Sequence, residues 1–88
     1  MKIELTKRAL RDLAAFDKPD RRIIAQKLEF LAQHFDELKR SKKVTELKGS
    51  HKGAYRYVVA RKIRVIFALK EGKLVILVLR IGKRKDVY

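Results

Sequence analysis

Between Tyr55 and Leu69 the sequence alternates so strictly that a shift of one residue would turn it inside out. Tyr55, Tyr57, Val59, Ile63, Val65, Phe67 and Leu69 form a nearly apolar set, and Arg56, Val58, Ala60, Lys62, Arg64, Ile66 and Ala68 form a mixed, basic one. Successive side chains of a strand point to opposite faces. Two strands, roughly Ala54 to Ala60 and Ile63 to Leu69, must therefore put their apolar sets on one side, because a slip would expose half of them. That parity requires an odd loop centred near Arg61. It leaves Arg56, Val58 and Arg64 together on the other side.

A third apolar run, Leu74 to Ile81, comes after the Glu71-Gly72 turn, so the segment reads as an antiparallel meander. Both alternating sets of this run are apolar (Leu74, Ile76, Val78 against Val75, Leu77, Leu79). It is expected to be a central strand, and periodicity alone does not orient it. Val44 to Gly49 leads into the sheet, and Gly82 ends it before a basic tail.

Ahead of the sheet, Met1, Ile3 and Leu5 alternate with Lys2 and Glu4, the period of a short half-buried strand. Thr6 is placed to cap a helix over about 7–16. Asp17-Lys18-Pro19-Asp20 interrupts it, since the residue before a proline resists helical geometry. A second helix, capped by Asp20, is expected to run to about Arg40. Its Ile24, Leu28, Leu31, Phe35 and Leu38 recur at steps of four and three and form one stripe. The connection is short, so the helices form an αα-hairpin. The expected fold is a single α+β domain over residues 1–88, with the N-terminal strand and helical hairpin packed on one face of a small antiparallel sheet.

Charge sets the class of partner. From Leu47 to Tyr88 there are twelve Lys and Arg against two acids, a net of +10 in a chain whose formal charge is +14. Such a balance favours polyanions, nucleic acid first. The chain has no cysteine, which excludes disulfides and thiolate metal sites and is compatible with a reducing cytoplasm. No run approaches the roughly 18 apolar residues of a membrane span. The two histidines, His34 on the second helix and His51 before the sheet, pair with no carboxylate motif, and no metal or cofactor motif is present.

The residues LKG at 47–49, Tyr55-Arg56, IRVIF at 63–67, IGKR at 81–84 and the final Val87-Tyr88, in this order, closely resemble the RelE-type toxins of prokaryotic toxin–antitoxin systems. The resemblance implies the α+β fold above and a cytoplasmic, ribosome-dependent endoribonuclease, an mRNA interferase that needs no metal or cofactor and cuts message in the A site. It also implies an acidic antitoxin as partner, alongside ribosome and mRNA. Carried over by position, the catalytic residues are Arg56, Arg64, Arg84 and Tyr88. Lys48, Lys52 and Lys83 are expected to contact ribosomal or messenger phosphates. The chain departs from the pattern at Val58, where a second lysine is expected, and at Arg56, an arginine in place of a lysine. Arginine keeps the charge but is a poor proton acceptor; Lys52 could supply an amine from the loop. Two alternatives share the fold: a ParE-type toxin that inhibits DNA gyrase without cutting RNA, and a module that binds RNA or antitoxin without activity.

Overall fold

The protein's structure, a computed structural model, describes residues 1–83. Its elements are β1 (Lys2–Leu5), α1 (Lys7–Ala14), α2 (Lys18–Arg40), β2 (Val44–Glu46), β3 (Ala54–Ala60), β4 (Ile63–Lys70) and β5 (Val75–Lys83), with one 3-10 turn at Gly49–His51. The strands form one five-stranded sheet in the order β1-β5-β4-β3-β2. β5 lies inside the sheet, as its two apolar sets require. The sheet is mixed rather than wholly antiparallel, because β1 pairs parallel to β5, Ile3 opposite Ile76 and Leu5 opposite Val78. β2, a segment without a strand pattern of its own, closes the far edge antiparallel to β3.

Capping chemistry sets the helix starts. Thr6 accepts the Ala9 amide on Oγ1 at 3.0 Å and donates the same hydroxyl to the Leu79 carbonyl at 3.1 Å. One side chain thus caps α1 and fastens it to β5. The N-cap of α2 is Asp17, not Asp20: Asp17 Oδ1 accepts the Asp20 amide at 3.1 Å, and Pro19 sits in the first turn. Proline is tolerated there because the first amides lack intrahelical partners anyway. The helix is kinked at His34, whose φ of −130° is non-helical.

The apolar stripe of α2 lies on the sheet as its spacing demands. Ile24, Leu28, Leu31, Phe35 and Leu38 share one core with Val44, Tyr55, Tyr57, Val59, Ile63, Val65, Phe67, Ile76, Val78 and Ile81. Burying one such side chain is worth about 1.5–3 kcal/mol. At its centre Tyr55 stacks on Phe67 with ring centroids 5.4 Å apart, and Phe35 meets both rings edge-on.

Parity in the hairpin is achieved by a different device from a plain odd loop. Tyr55 pairs with Phe67, Tyr57 with Val65 and Val58 with Arg64, a register centred on Arg61 as expected. The chain reverses through two residues, Arg61 and Lys62, and a bulge at Val59 supplies the extra residue. A bulge places two residues opposite one and increases local twist. A second bulge falls at Leu79, between the pairs Phe67–Val78 and Ile66–Arg80.

β1 covers β5 only as far as Val78, and α1 satisfies the strand edge beyond that point. The Thr6 amide donates to Val78 O at 3.0 Å. Asp12 Oδ2 accepts the Ile81 amide at 2.9 Å and Arg80 Nε at 2.8 Å. Burial pushes the Asp12 carboxyl up, but the Arg80 hydrogen bond, the Ile81 amide and the charges of Arg80 and Arg8 outweigh it and hold it below its ordinary value.

Because the folded carboxyl is the stronger acid, its contribution is complete above the unfolded value near about 3.9 and is lost as pH falls through the lower folded value. Asp12→Ala should therefore cost about 1.5–3 kcal/mol at neutral pH, a melting temperature lower by roughly 10 °C for a domain of this size. The gap to the parent protein should narrow as pH falls below the unfolded value and through the lower folded one. Thermal melts across pH check both the size and the sign.

Candidate nucleic-acid interface

The helices cover one side of the sheet, so the site is built on the other. Register fixes which residues share that side. Thr45, Arg56, Ile66 and Arg80 form one row across the strands, and Val58, Arg64 and Gly82 the next. Ala54, Ala68, Leu77 and Glu4 form a third. Arg56 and Arg64 are thus brought to one face with Val58 beside them, as alternation required. Val58 is 39% exposed and gains little from burial.

The face is not uniformly cationic. Ala54 and Ile66 are buried and pack with Leu47 and Leu79 as a small apolar strip on this side. Bases flank that strip. Lys70 reaches Glu4 at 2.8 Å over the intervening β5. This hydrogen bond and the Lys70 charge lower the Glu4 carboxyl below its usual range against desolvation, and the same contact raises Lys70.

Arg64 does not stretch over the face. Its Nη1 donates to the carbonyls of Ala60, Arg61 and Ile63 at 3.2–3.3 Å. The guanidinium is folded onto the β3–β4 turn and holds a charge there. Arg56 is half-buried across from Thr45 and Ile66. Two guanidinium groups on one open surface can grip phosphate oxygens and stabilise charge that builds on them.

Lys48 and Lys52 are exposed on the loop between β2 and β3. They line a cleft of about 430 Å3 with Glu46, Leu47, Gly49 and Gly53. The loop closes through left-handed backbone at Gly49 (φ +71°) and Gly53 (φ +94°), which glycine adopts at least cost. Leu47 belongs to the apolar strip, so this cleft adjoins the open face. Lys83 lies elsewhere. The bulge at Leu79 reverses the alternation of β5, so Lys83 pairs with the core-side Ile63 and lines a cleft with Asp12, Asp17 and Asp20 on the helical side. Arg84 and Tyr88 lie outside the described residues.

Tyr55 and Tyr57 belong to the core, 9% and 2% exposed, and are not available to stack on bases; burial raises the Tyr57 phenol above its ordinary value. His34 does meet a carboxylate, Nδ1 lying 3.7 Å from Glu37 Oε2, but on α2 and stacked beside Phe30. His51 is exposed in the 3-10 turn. Sequence reasoning missed Thr45, whose place beside Arg56 depends on β2. The Leu79 bulge brings the backbone of Arg80 into the same row, but its guanidinium is held by Asp12 of α1 and lines the helical-side cleft with Lys83.

Solved structures with this architecture define its class. The archaeal RelE–RelB complex of Pyrococcus horikoshii matches with a TM-score of 0.70 and 22% identity, over 98% of this chain and 97% of that one. The intact RelBE toxin–antitoxin complex of E. coli matches with a TM-score of 0.69 and 18% identity, over 93% and 94%. The RelBE2 toxin–antitoxin complex of Mycobacterium tuberculosis matches at 0.66 and 22%, over 94% and 96%. The fold is therefore RelE-like. Residues 3–88 match the sequence model described as "ParE toxin of type II toxin-antitoxin system, parDE", and the chain belongs to this toxin family. At the level of sequence, no curated protein matches it.

Replacing Tyr55 tests its assignment to the core. Tyr55→Ala should cost about 3–5 kcal/mol by removing a packed ring, a large share of the roughly 5–15 kcal/mol typical of a domain. Denaturant unfolding should report that loss. A variant of near-parental stability would contradict the core assignment of Tyr55.

Proposed function

We propose that this toxin is a ribosome-dependent endoribonuclease that cleaves mRNA in the A site and is neutralised by a cognate acidic antitoxin. The observation that carries the reading is the open side of the sheet, where Arg56 and the Val58–Arg64 pair stand together with no helix of the described residues over them. The order IGKR and Val87-Tyr88, in which the chain resembles RelE-type toxins, supports the same reading. So does the RelE-like fold, seen in complexes that pair toxin with antitoxin.

The ribose 2′-OH attacks the adjacent phosphorus and the bond to the 5′ oxygen breaks, leaving a 2′,3′-cyclic phosphate and a 5′-OH end. No metal is required. Arg56, Arg64 and Arg84 bind the scissile phosphate and stabilise the charge that develops on its oxygens. Tyr88 stacks on a base or moves a proton. Lys48 and Lys52 hold flanking phosphates beside the face, and Lys83 holds one toward the helical side. Clustered cations lower the pKa of a nearby amine or phenol, which lets it exchange protons near neutrality. The work is done in the cytoplasm, where translation is.

A second reading has its own observation. Val58 leaves the centre of the face without a proton carrier, and the matching family is described by its ParE toxin. A gyrase-binding toxin would need the charged surface but no chemistry on it.

Induced expression separates the two. Growth arrest with codon-spaced cuts in translated message, mapped by primer extension, is the expected result. Intact message with failing DNA supercoiling would assign the toxin to the ParE mode.

Two substitutions refine the site. Arg56→Ala should slow single-turnover cleavage on programmed ribosomes by roughly 10²–10³. Val58→Lys adds an amine on the exposed face without touching the core, and cleavage should rise toward the roughly 10²-fold range of general-base catalysis. A folded Val58→Lys protein with unchanged cleavage would place proton transfer on another group, Lys52 first.

A further inference from the structure

The charge of the helical layer is segregated. From Lys7 to Lys27 there are seven bases and three acids, whereas 28–38 holds three acids and no Lys or Arg. Two of the three acids of the first segment are committed. Asp12 is held by Arg80, and Asp17 caps α2 through the amide of Asp20. Lys7, Arg8, Arg11, Lys18 and Arg22 are all exposed. Arg8 acts on Asp12 through its charge alone, beside the closer Arg80, and none of the five forms an ion pair with an acid of the described residues.

Their position is costly for folding. α1 has no acid in its first turn and begins with Lys7-Arg8. The N-terminus of a helix carries the positive end of its dipole and favours anions. Two cations at that end oppose the helix instead of helping it. A phosphate ligand reverses the sign, since it satisfies the cations and the free amides together.

We infer that α1 and the start of α2 form a second phosphate-binding surface, which docks the backbone of structured RNA on the side opposite the cleaving face. What the surface offers identifies the occupant. Guanidinium and ammonium groups are present, and the exposed large apolar residues of these segments are Leu10 and Ile23, with no exposed aromatic to stack on a base. Single-stranded readout relies on such stacking. Backbone recognition of a folded RNA needs only the cations. The inference rests on the ribosome-directed reading for its biological target, the ribosomal RNA; message would lie on the sheet while ribosomal phosphates hold the helices.

The test combines Arg8→Gln, Arg11→Gln, Lys18→Gln and Arg22→Gln in one protein. A matched protein carries Arg8→Lys, Arg11→Lys and Arg22→Lys, which keeps the charge. Affinity is measured against salt for programmed ribosomes and for a blunt RNA duplex. The glutamine protein should bind both on the order of 10-fold or more weakly near 0.1 M salt, with a log–log salt slope shallower by about 2–3, and the lysine protein should bind like the parent. Antitoxin affinity should be unchanged in both, and the glutamine protein should melt no lower than the parent, since it loses a cation that opposes the α1 dipole.

Equal affinity and slope in the glutamine protein would overturn the inference. So would loss of antitoxin binding with RNA binding intact, which would assign the surface to the antitoxin. Failure of the ribonuclease reading looks different: the parent would bind the duplex through these cations and yet leave ribosome-bound message uncut.

Discussion

A parity constraint governs this protein. The α2 stripe from Ile24 to Leu38 accepts only one of the two alternating sets of the β3–β4 hairpin. Once Tyr55, Tyr57, Val65 and Phe67 turn toward it, Arg56, Val58 and Arg64 have no choice but the other side. The open face and its arginines are therefore a consequence of how the core is packed. The Val59 bulge serves that constraint, because it lets a two-residue turn join strands whose register needs an odd count.

The second constraint is the unfinished edge of β5. Its backbone runs past β1, and unpaired amides and carbonyls there would invite another chain. Thr6 and Asp12 meet this need from α1, and in doing so they fix the helical layer on the sheet. Covering that edge commits Asp12, one of only ten acids in the chain. Of the exposed cations of α1 and early α2, Arg8 shares Asp12 with Arg80, and Lys7, Arg11, Lys18 and Arg22 form no ion pair with an acid of the described residues.

Much of the architecture was legible because it depends on periodicity. Both helices, the hairpin, the interior place of β5 and the shared face of Arg56 and Arg64 come from the repeat lengths of helix and strand. The illegible parts depend on long-range pairing or on single-residue irregularities. Nothing in Val44 to Glu46 alternates, so β2 exists only because β3 offers it an edge. The parallel docking of β1 needs β5 as a template. The cap fell to Asp17 rather than Asp20 because a proline fits the first helical turn. The Leu79 bulge, invisible where both sets are apolar, reverses the alternation after Val78 and so turns Lys83 to the core side, while the Arg80 guanidinium is drawn to Asp12 of α1. Likewise, spacing puts Arg64 on the open face, yet only the folded chain reveals its guanidinium resting on the turn carbonyls.

The central claim is that the uncovered side of the sheet is the working face, and Val58 reports on it most directly. The chain has no cysteine, so a Val58→Cys protein carries one thiol, at the middle of that face. The decisive measurement is the rate at which a small thiol reagent labels it, free and bound to programmed ribosomes, beside a Gln33→Cys control on the exposed acidic stretch of α2. Both free proteins should label rapidly, and position 58 alone should be strongly protected in the bound state. Labelling at position 58 that is slow in the free protein, or as fast bound as free, would contradict the claim.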